Sequence, residues 1–306
     1  DYYATYYSAE IVNTLTNLMF WYCAWEGVKS CRRNGHDHVF EIAYYGYFLV
    51  GFGSFMFHTT LKYPWQLVDE LNMIYTTCLM GYASLSYKKS TTYRIWLAVF
   101  CVGFCAAITA YYHYLQDPEF HQLVYAAMTV WLVFRSGWQM EVALRPRWRG
   151  TREEDRMAKE KKGIPVPTRE EQEVINRRDL NILGNMWVLV AWGVSVFLTG
   201  FAIWGLDNKY CGTLRQWRRS IGLPWGVLLE GHGWWHILTG YGAYCYIVWG
   251  IHLRHILNGE QDKYVSVWPH LWSLPEIVKI PSLDGKEING KALNGKAVNG
   301  DAKRGS

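Results

Sequence analysis

No Cys-x-x-Cys pair occurs among the seven cysteines (Cys23, Cys31, Cys78, Cys101, Cys105, Cys211, Cys245), which removes the commonest thiol-based metal and redox signatures. Five of them sit in or beside apolar runs, where cysteine is usually a small core residue, and only Cys211, in a polar loop, is a disulfide candidate. The opening residues Asp1-Tyr-Tyr-Ala-Thr lack a basic stretch followed by an apolar core, so no cleavable signal peptide is read there. A start without Met is what a truncated chain would show. A nucleic-acid surface is also missing: the net charge is +5, but the cations fall in blocks between apolar runs and form no single patch. No internal repeat is found.

Apolar and aromatic residues are abundant instead. Half of the 306 residues are hydrophobic and 17% are aromatic, with 17 Trp and 22 Tyr, more than a soluble protein needs to bury. The mean hydropathy of −0.09 averages two populations, because polar residues concentrate in 141–181 and after residue 252. Seven stretches of spanning length are read at about 20 residues each: 9–28, 40–61, 65–85, 93–112, 120–140, 182–203 and 231–253. Lys62-Tyr63-Pro64 breaks the second from the third, making a tight helical hairpin. Alternate loops carry 25 Lys and Arg on one side and 5 on the other. The positive-inside bias puts the N-terminus outside or lumenal and the C-terminus in the cytosol.

The expected fold is therefore an all-α integral membrane protein, a seven-transmembrane bundle over residues 1–258. A solvated cytosolic insert lies at 141–181, and a cytosolic tail at 259–306. That tail repeats Asn-Gly from residue 289 and is expected to be disordered from about 282.

Two motifs place polar groups one helical turn apart inside apolar segments: Gly-Phe-Gly-Ser54-Phe-Met-Phe-His58 and His232-Gly-Trp-Trp-His236. With this topology the second span ends, and the third and seventh begin, on the non-cytosolic side. Ser54, His58, Asp69, His232 and His236 then share one depth. Intramembrane ionisable groups are costly without partners, so their convergence points to a site. Three imidazoles are what a catalytic zinc usually takes while leaving one position for water. Asp69 reads as a general base for that water, or as an orienter of a ligand histidine. Ser54 reads as a donor to a developing oxyanion, or as a helix-capping hydroxyl. A nucleophilic Ser54 is not favoured, because a metal-bound histidine has no free nitrogen to activate it. The other seven histidines, His36, His38, His113, His121, His252, His255 and His270, read as surface residues in loops and at span ends.

Several segments in register resemble the alkaline ceramidases and look like a fungal member of that family. They are Ala9-Glu-Ile-Val-Asn13-Thr-Leu-Thr-Asn17, Gly53-Ser-Phe-Met-Phe-His58, Gln66-Leu-Val-Asp69-Glu-Leu-Asn-Met-Ile-Tyr75, Phe120-His-Gln-Leu-Val-Tyr125, Asp207-Asn208 with Cys211, and His232-Gly-Trp-Trp-His236-Ile-Leu-Thr-Gly240. The resemblance implies seven helices, zinc on His58, His232 and His236, and Ser54 and Asp69 in the site. It also implies hydrolysis of ceramide, phytoceramide or dihydroceramide among its forms, to a sphingoid base and a fatty acid in an endoplasmic reticulum or Golgi membrane.

Two departures stand out. Asn72 replaces a usual proline, and the acidic Trp-Cys loop that precedes the region matching Asp1 is missing. Of the family's calcium ligands only Asp1 and Glu10 carry over, and Cys211 lacks the cysteine it would pair with. The competing readings are a seven-helix receptor of the adiponectin-receptor type, whose orientation is usually inverted, and a proton-coupled transporter, whose halves often repeat.

Overall fold

A computed structural model of the chain describes residues 5–148 and 167–281. Asp1, much of the 141–181 insert and the tail from residue 282 lie outside the described residues.

The helices follow the apolar stretches closely: α1 (Ile11–Thr16), α2 (Leu18–Asn34), α3 (His38–Thr60), α4 (Tyr63–Leu85), α5 (Thr91–Leu115), α6 (Pro118–Leu144), α7 (Arg169–Lys209), α8 (Cys211–Ile221) and α9 (Gly231–Leu257). Their ends have local causes. Gly35, in the left-handed region, closes α2. Leu61 adopts φ 51° after α3, and Pro64 sits in the first turn of α4, where its missing N–H costs nothing. Thr168 and Glu171 form a reciprocal capping box that starts α7 inside the polar insert, so part of that insert is helix.

Three helices, α3, α5 and α7, are long and apolar enough to cross a membrane. The other long helices fall short of that apolarity because they carry polar residues of the kind that form sites and ion pairs. On α4 these include Gln66, Asp69, Glu70 and Asn72, and on α2 they include Glu26, Lys29, Arg32 and Arg33. The spanning window of α5 is only 6% buried, and Trp96, Phe100 and Val102 lie on its exposed surface. An apolar surface of this extent suits lipid rather than water.

The core lies where α9 packs along α7 and where α3 packs on α2 and α4. Two glycines permit close approach of one helix backbone to another. A Cβ on Gly242 of α9 would stand 2.9 Å from the Gly193 carbonyl oxygen of α7. One on Gly53 of α3 would stand 2.9 Å from the Asp69 nitrogen of α4, so this glycine seats Ser54 beside Asp69.

Beyond α9 the all-α pattern gives way to an antiparallel hairpin, β1 (Tyr264–Val267) and β2 (Glu276–Lys279), with Tyr264 opposite Lys279. Its connecting loop runs back along α9. The Tyr241 hydroxyl bonds the Leu271 and Ser273 carbonyls at 2.6 and 2.9 Å, and the Tyr244 hydroxyl donates to Pro275 at 3.2 Å. Packing of this kind corrects the surface reading of four histidines. His36, His121, His252 and His255 are only 4–7% exposed. The hairpin covers His36, which bonds the Ile277 carbonyl. His121 is held by the carbonyl of Glu70.

Candidate metal centre

Three helix ends build the site. His58 lies in the last turn of α3, while His232 and His236 occupy successive turns at the start of α9, on one face. The imidazole centroids are 4.8 Å apart in every pairing, and one nitrogen from each lies within 4.8 Å of the others. Tetrahedral zinc with nitrogen ligands at its usual bond length needs donors roughly 3.4 Å apart, a small closure from this arrangement. Among the described residues this is the only such cluster of His, Cys, Asp or Glu.

The outward nitrogens of His58 and His236 are engaged as metal-ligating imidazoles require. His58 Nδ1 is 2.7 Å from Glu10 Oε2, which leaves Nε2 for the centre. Glu10 is put there by the backbone: the Ala9 and Glu10 amides, both at 3.1 Å, bond the Thr59 and His58 carbonyls left open at the end of α3.

His236 Nδ1 donates to the Asn13 carbonyl at 3.1 Å. That carbonyl is open because α1 stops before Asn17, whose amide bonds Thr14 instead. The Thr16 hydroxyl and the Asn17 side-chain amide bond the same oxygen, at 3.0 and 2.8 Å, and stand 3.0 and 3.4 Å from His236 Nδ1. The Nε2 of His236 faces inward, 3.4 Å from Ser54 Oγ. At the first turn of α9 the free amide of His232 donates to Asp207 Oδ2 at 3.2 Å. The donor set fits zinc: three imidazoles, two of them with Nδ1–H committed outward to oxygen acceptors.

Asp69 stands outside the metal-holding cluster, with its carboxyl near enough to the Ser54 hydroxyl to interact with it. Ser54 thus lies between the acid on α4 and the His236 imidazole. Glu70 turns the other way, accepting from Tyr112 of α5 and from Gln66. The part Glu10 plays as an acceptor for His58, and the parts of Asn13, Thr16, Asn17 and Asp207, were not read from motif spacing. The polar pair Asn13 and Asn17, one turn apart in an apolar stretch, was the available signal.

A profile described as ceramidase matches residues 1–278. Alkaline ceramidase YPC1 of Saccharomyces cerevisiae is 32% identical over 292 residues, covering 91% of this chain and 81% of the yeast protein. Alkaline ceramidase 3 of Mus musculus is 29% identical over 282 residues, covering 90% of each. An alkaline ceramidase of Arabidopsis thaliana is 22% identical over 268 residues, covering 87% of this chain and 86% of its own length. With the profile running through almost every described element, the chain belongs to the ceramidase family.

Proposed function

We propose that the protein is a zinc-dependent amide hydrolase that cleaves ceramide to a sphingoid base and a free fatty acid. It works within a seven-span bundle whose N-terminus is lumenal or extracellular, in an endoplasmic reticulum or Golgi membrane. The observation that carries this reading is the meeting of His58, His232 and His236 beside Ser54 and Asp69, in a chain whose relatives are alkaline ceramidases.

Bound at the three imidazoles, zinc would supply a Lewis acid that makes water a usable nucleophile near neutral pH. The protein's own groups do the rest. Asp69 takes the proton from water as it attacks the amide carbonyl, then delivers it to the leaving nitrogen, so that the sphingoid base departs as a neutral amine. The Ser54 hydroxyl, placed between Asp69 and His236, turns its one proton to the carbonyl oxygen as negative charge develops there and Asp69 takes up the water's proton. Glu10 and the Asn13 carbonyl fix the tautomers of His58 and His236, so that both present Nε2 inward. The calcium ion that the family resemblance implies at Asp1 and Glu10 would share a carboxylate already bonded to His58 and Asn13.

The test uses purified protein and ceramide labelled in its acyl chain. The expected result is fatty acid release, with about one zinc per chain that is lost together with activity in His232→Ala. No release by zinc-loaded protein would overturn the assignment, and release unaffected by His232→Ala would overturn the metal's part in it.

A further inference from the structure

The segment between α7 and α9 is not used by the chemistry above, yet it is built in an unusual way. α8 (Cys211–Ile221) repeats its apolar residues at Leu214, Trp217 and Ile221, on one helical face. Arg215 and Arg219 occupy the flank and the opposite side, and both are exposed. The apolar stripe is not buried against the protein: Trp217 and Ile221 are more than half exposed, and so are Leu223, Trp225 and Leu228 in the turns that follow.

Position identifies what covers this face. α7 is one of the three helices apolar enough to span a bilayer. Its apolar portion ends at Leu206 and Asp207, and α8 begins four residues beyond Asp207, about 6 Å of helical rise. α8 therefore starts where α7 leaves the hydrocarbon and lies at the depth of the headgroups. A helix with exposed Trp and Ile on one face and arginines on the other is the pattern of an interfacial helix. Charge narrows the partner further. Lys209, Arg215, Arg218 and Arg219 stand against two acids in this stretch, Asp207 and Glu230, a net of two positive charges. Those four cations also run against the positive-inside bias that the rest of the chain follows.

We propose that α8 and the turns after it are a docking surface for anionic phospholipid headgroups of the leaflet beside the metal centre. The inference rests on the membrane-spanning reading and is independent of ceramide as substrate. It gives the lipid surface a mechanical link to the site. Arg218 is paired with Glu230, the residue before α9, and the Trp234 indole donates to the Leu228 carbonyl at 3.0 Å. The docked segment therefore holds the first turn of α9, which carries His232.

The full chain would be reconstituted in phosphatidylcholine nanodiscs containing a trace of phosphatidylglycerol with a photoreactive headgroup. After illumination, labelled peptides would be located by mass spectrometry. The expected result is label concentrated in residues 209–228, well above that from a matched phosphatidylcholine probe. The Arg215→Gln/Arg219→Gln variant should lower that label roughly twentyfold, from about fivefold per cation at a charged surface, with zinc content and melting unchanged. Arg219→Lys should keep it. Equal labelling by the two probes, label elsewhere on the protein, or an undiminished yield in the folded double variant would overturn the proposal. None of these readouts involves ceramide turnover, so failure of the hydrolase reading would be recognised separately.

Discussion

Asp69 and Glu10 are both carboxylates beside site residues, yet the chemistry asks different things of them. Asp69 faces Ser54 and lies outside the histidine cluster, so its replacement should spare the metal. Asp69→Asn keeps the shape and removes the basicity. Turnover is expected to fall at least about 10²-fold with zinc retained, as measured by labelled-ceramide assay and metal analysis on one preparation. Near-normal turnover would reduce Asp69 to an orienting role. Glu10→Gln should show the reverse balance. It leaves His58 in place but loses the charged acceptor that holds its Nδ1–H, and zinc affinity should weaken about 10- to 100-fold. Chelator competition would check this, and excess zinc should restore much of the activity. At this scale the ligand histidines were legible because their spacing is helical and their surroundings apolar. Glu10 was legible only as a helix-start acid or a family calcium ligand, because its bond to His58 depends on backbone amides closing the end of another helix.

Helices bring these side chains to one depth, and the constraint nearest Ser54 and Asp69 is where α3 crosses α4. Gly53 there faces the Val68 and Asp69 backbone, which cannot move aside as a flexible side chain would. Gly53→Ala should therefore push α3 from α4, at an overpacking cost of about 1–3 kcal/mol, and separate Ser54 from Asp69. Gly242→Ala is the matched control, because its Cβ would meet the Gly193 carbonyl of α7 equally closely. Similar losses of melting temperature are expected from both, with turnover falling much further in Gly53→Ala. Equal losses of turnover would show that the crossing has no special part in the site. The apolar cores of the helices were readable from run lengths, and the α3–α4 hairpin from Pro64, but α7 starts at Arg169, well ahead of its apolar run, on a capping box in the polar insert. The break at Asn17 was not, because nothing in Asn-Thr-Leu-Thr-Asn forbids helix. The Asn13 carbonyl it frees is put to use by a residue more than two hundred positions away.

Across the whole molecule, the end opposite the metal centre is closed by the C-terminal hairpin, and that closure buries a histidine, His36. His36 Nε2 lies 3.0 Å from the Ile277 carbonyl, which can only accept, so Nε2 carries the proton. Its Nδ1 lies 2.8 Å from His255 Nε2, and the other nitrogen of His255, Nδ1, lies 2.8 Å from the Glu260 carboxylate. A charge on His36 would be buried beside the His255 ring. Burial holds its pKa down at about 4, with His255 pushing the same way and the Ile277 carbonyl, Glu276 and Asp37 opposing. In the unfolded chain the group titrates near 6.5. A pKa lower in the fold means that the unfolded state binds the proton first. The contribution is therefore present above about pH 6.5, and it is eroded as pH falls from there towards 4. Amide protection factors of residues 264–279 should drop across that interval and stay level above it, with His36→Gln removing most of the acid dependence. Unchanged protection in the native chain, or the same acid response in His36→Gln, would show that the hairpin is held by its other contacts, chief among them the Tyr241 and Tyr244 hydroxyls on the connecting loop. None of this was legible in the sequence, because His36 and His255 are far apart along the chain and meet only once residues 264–280 fold back over them.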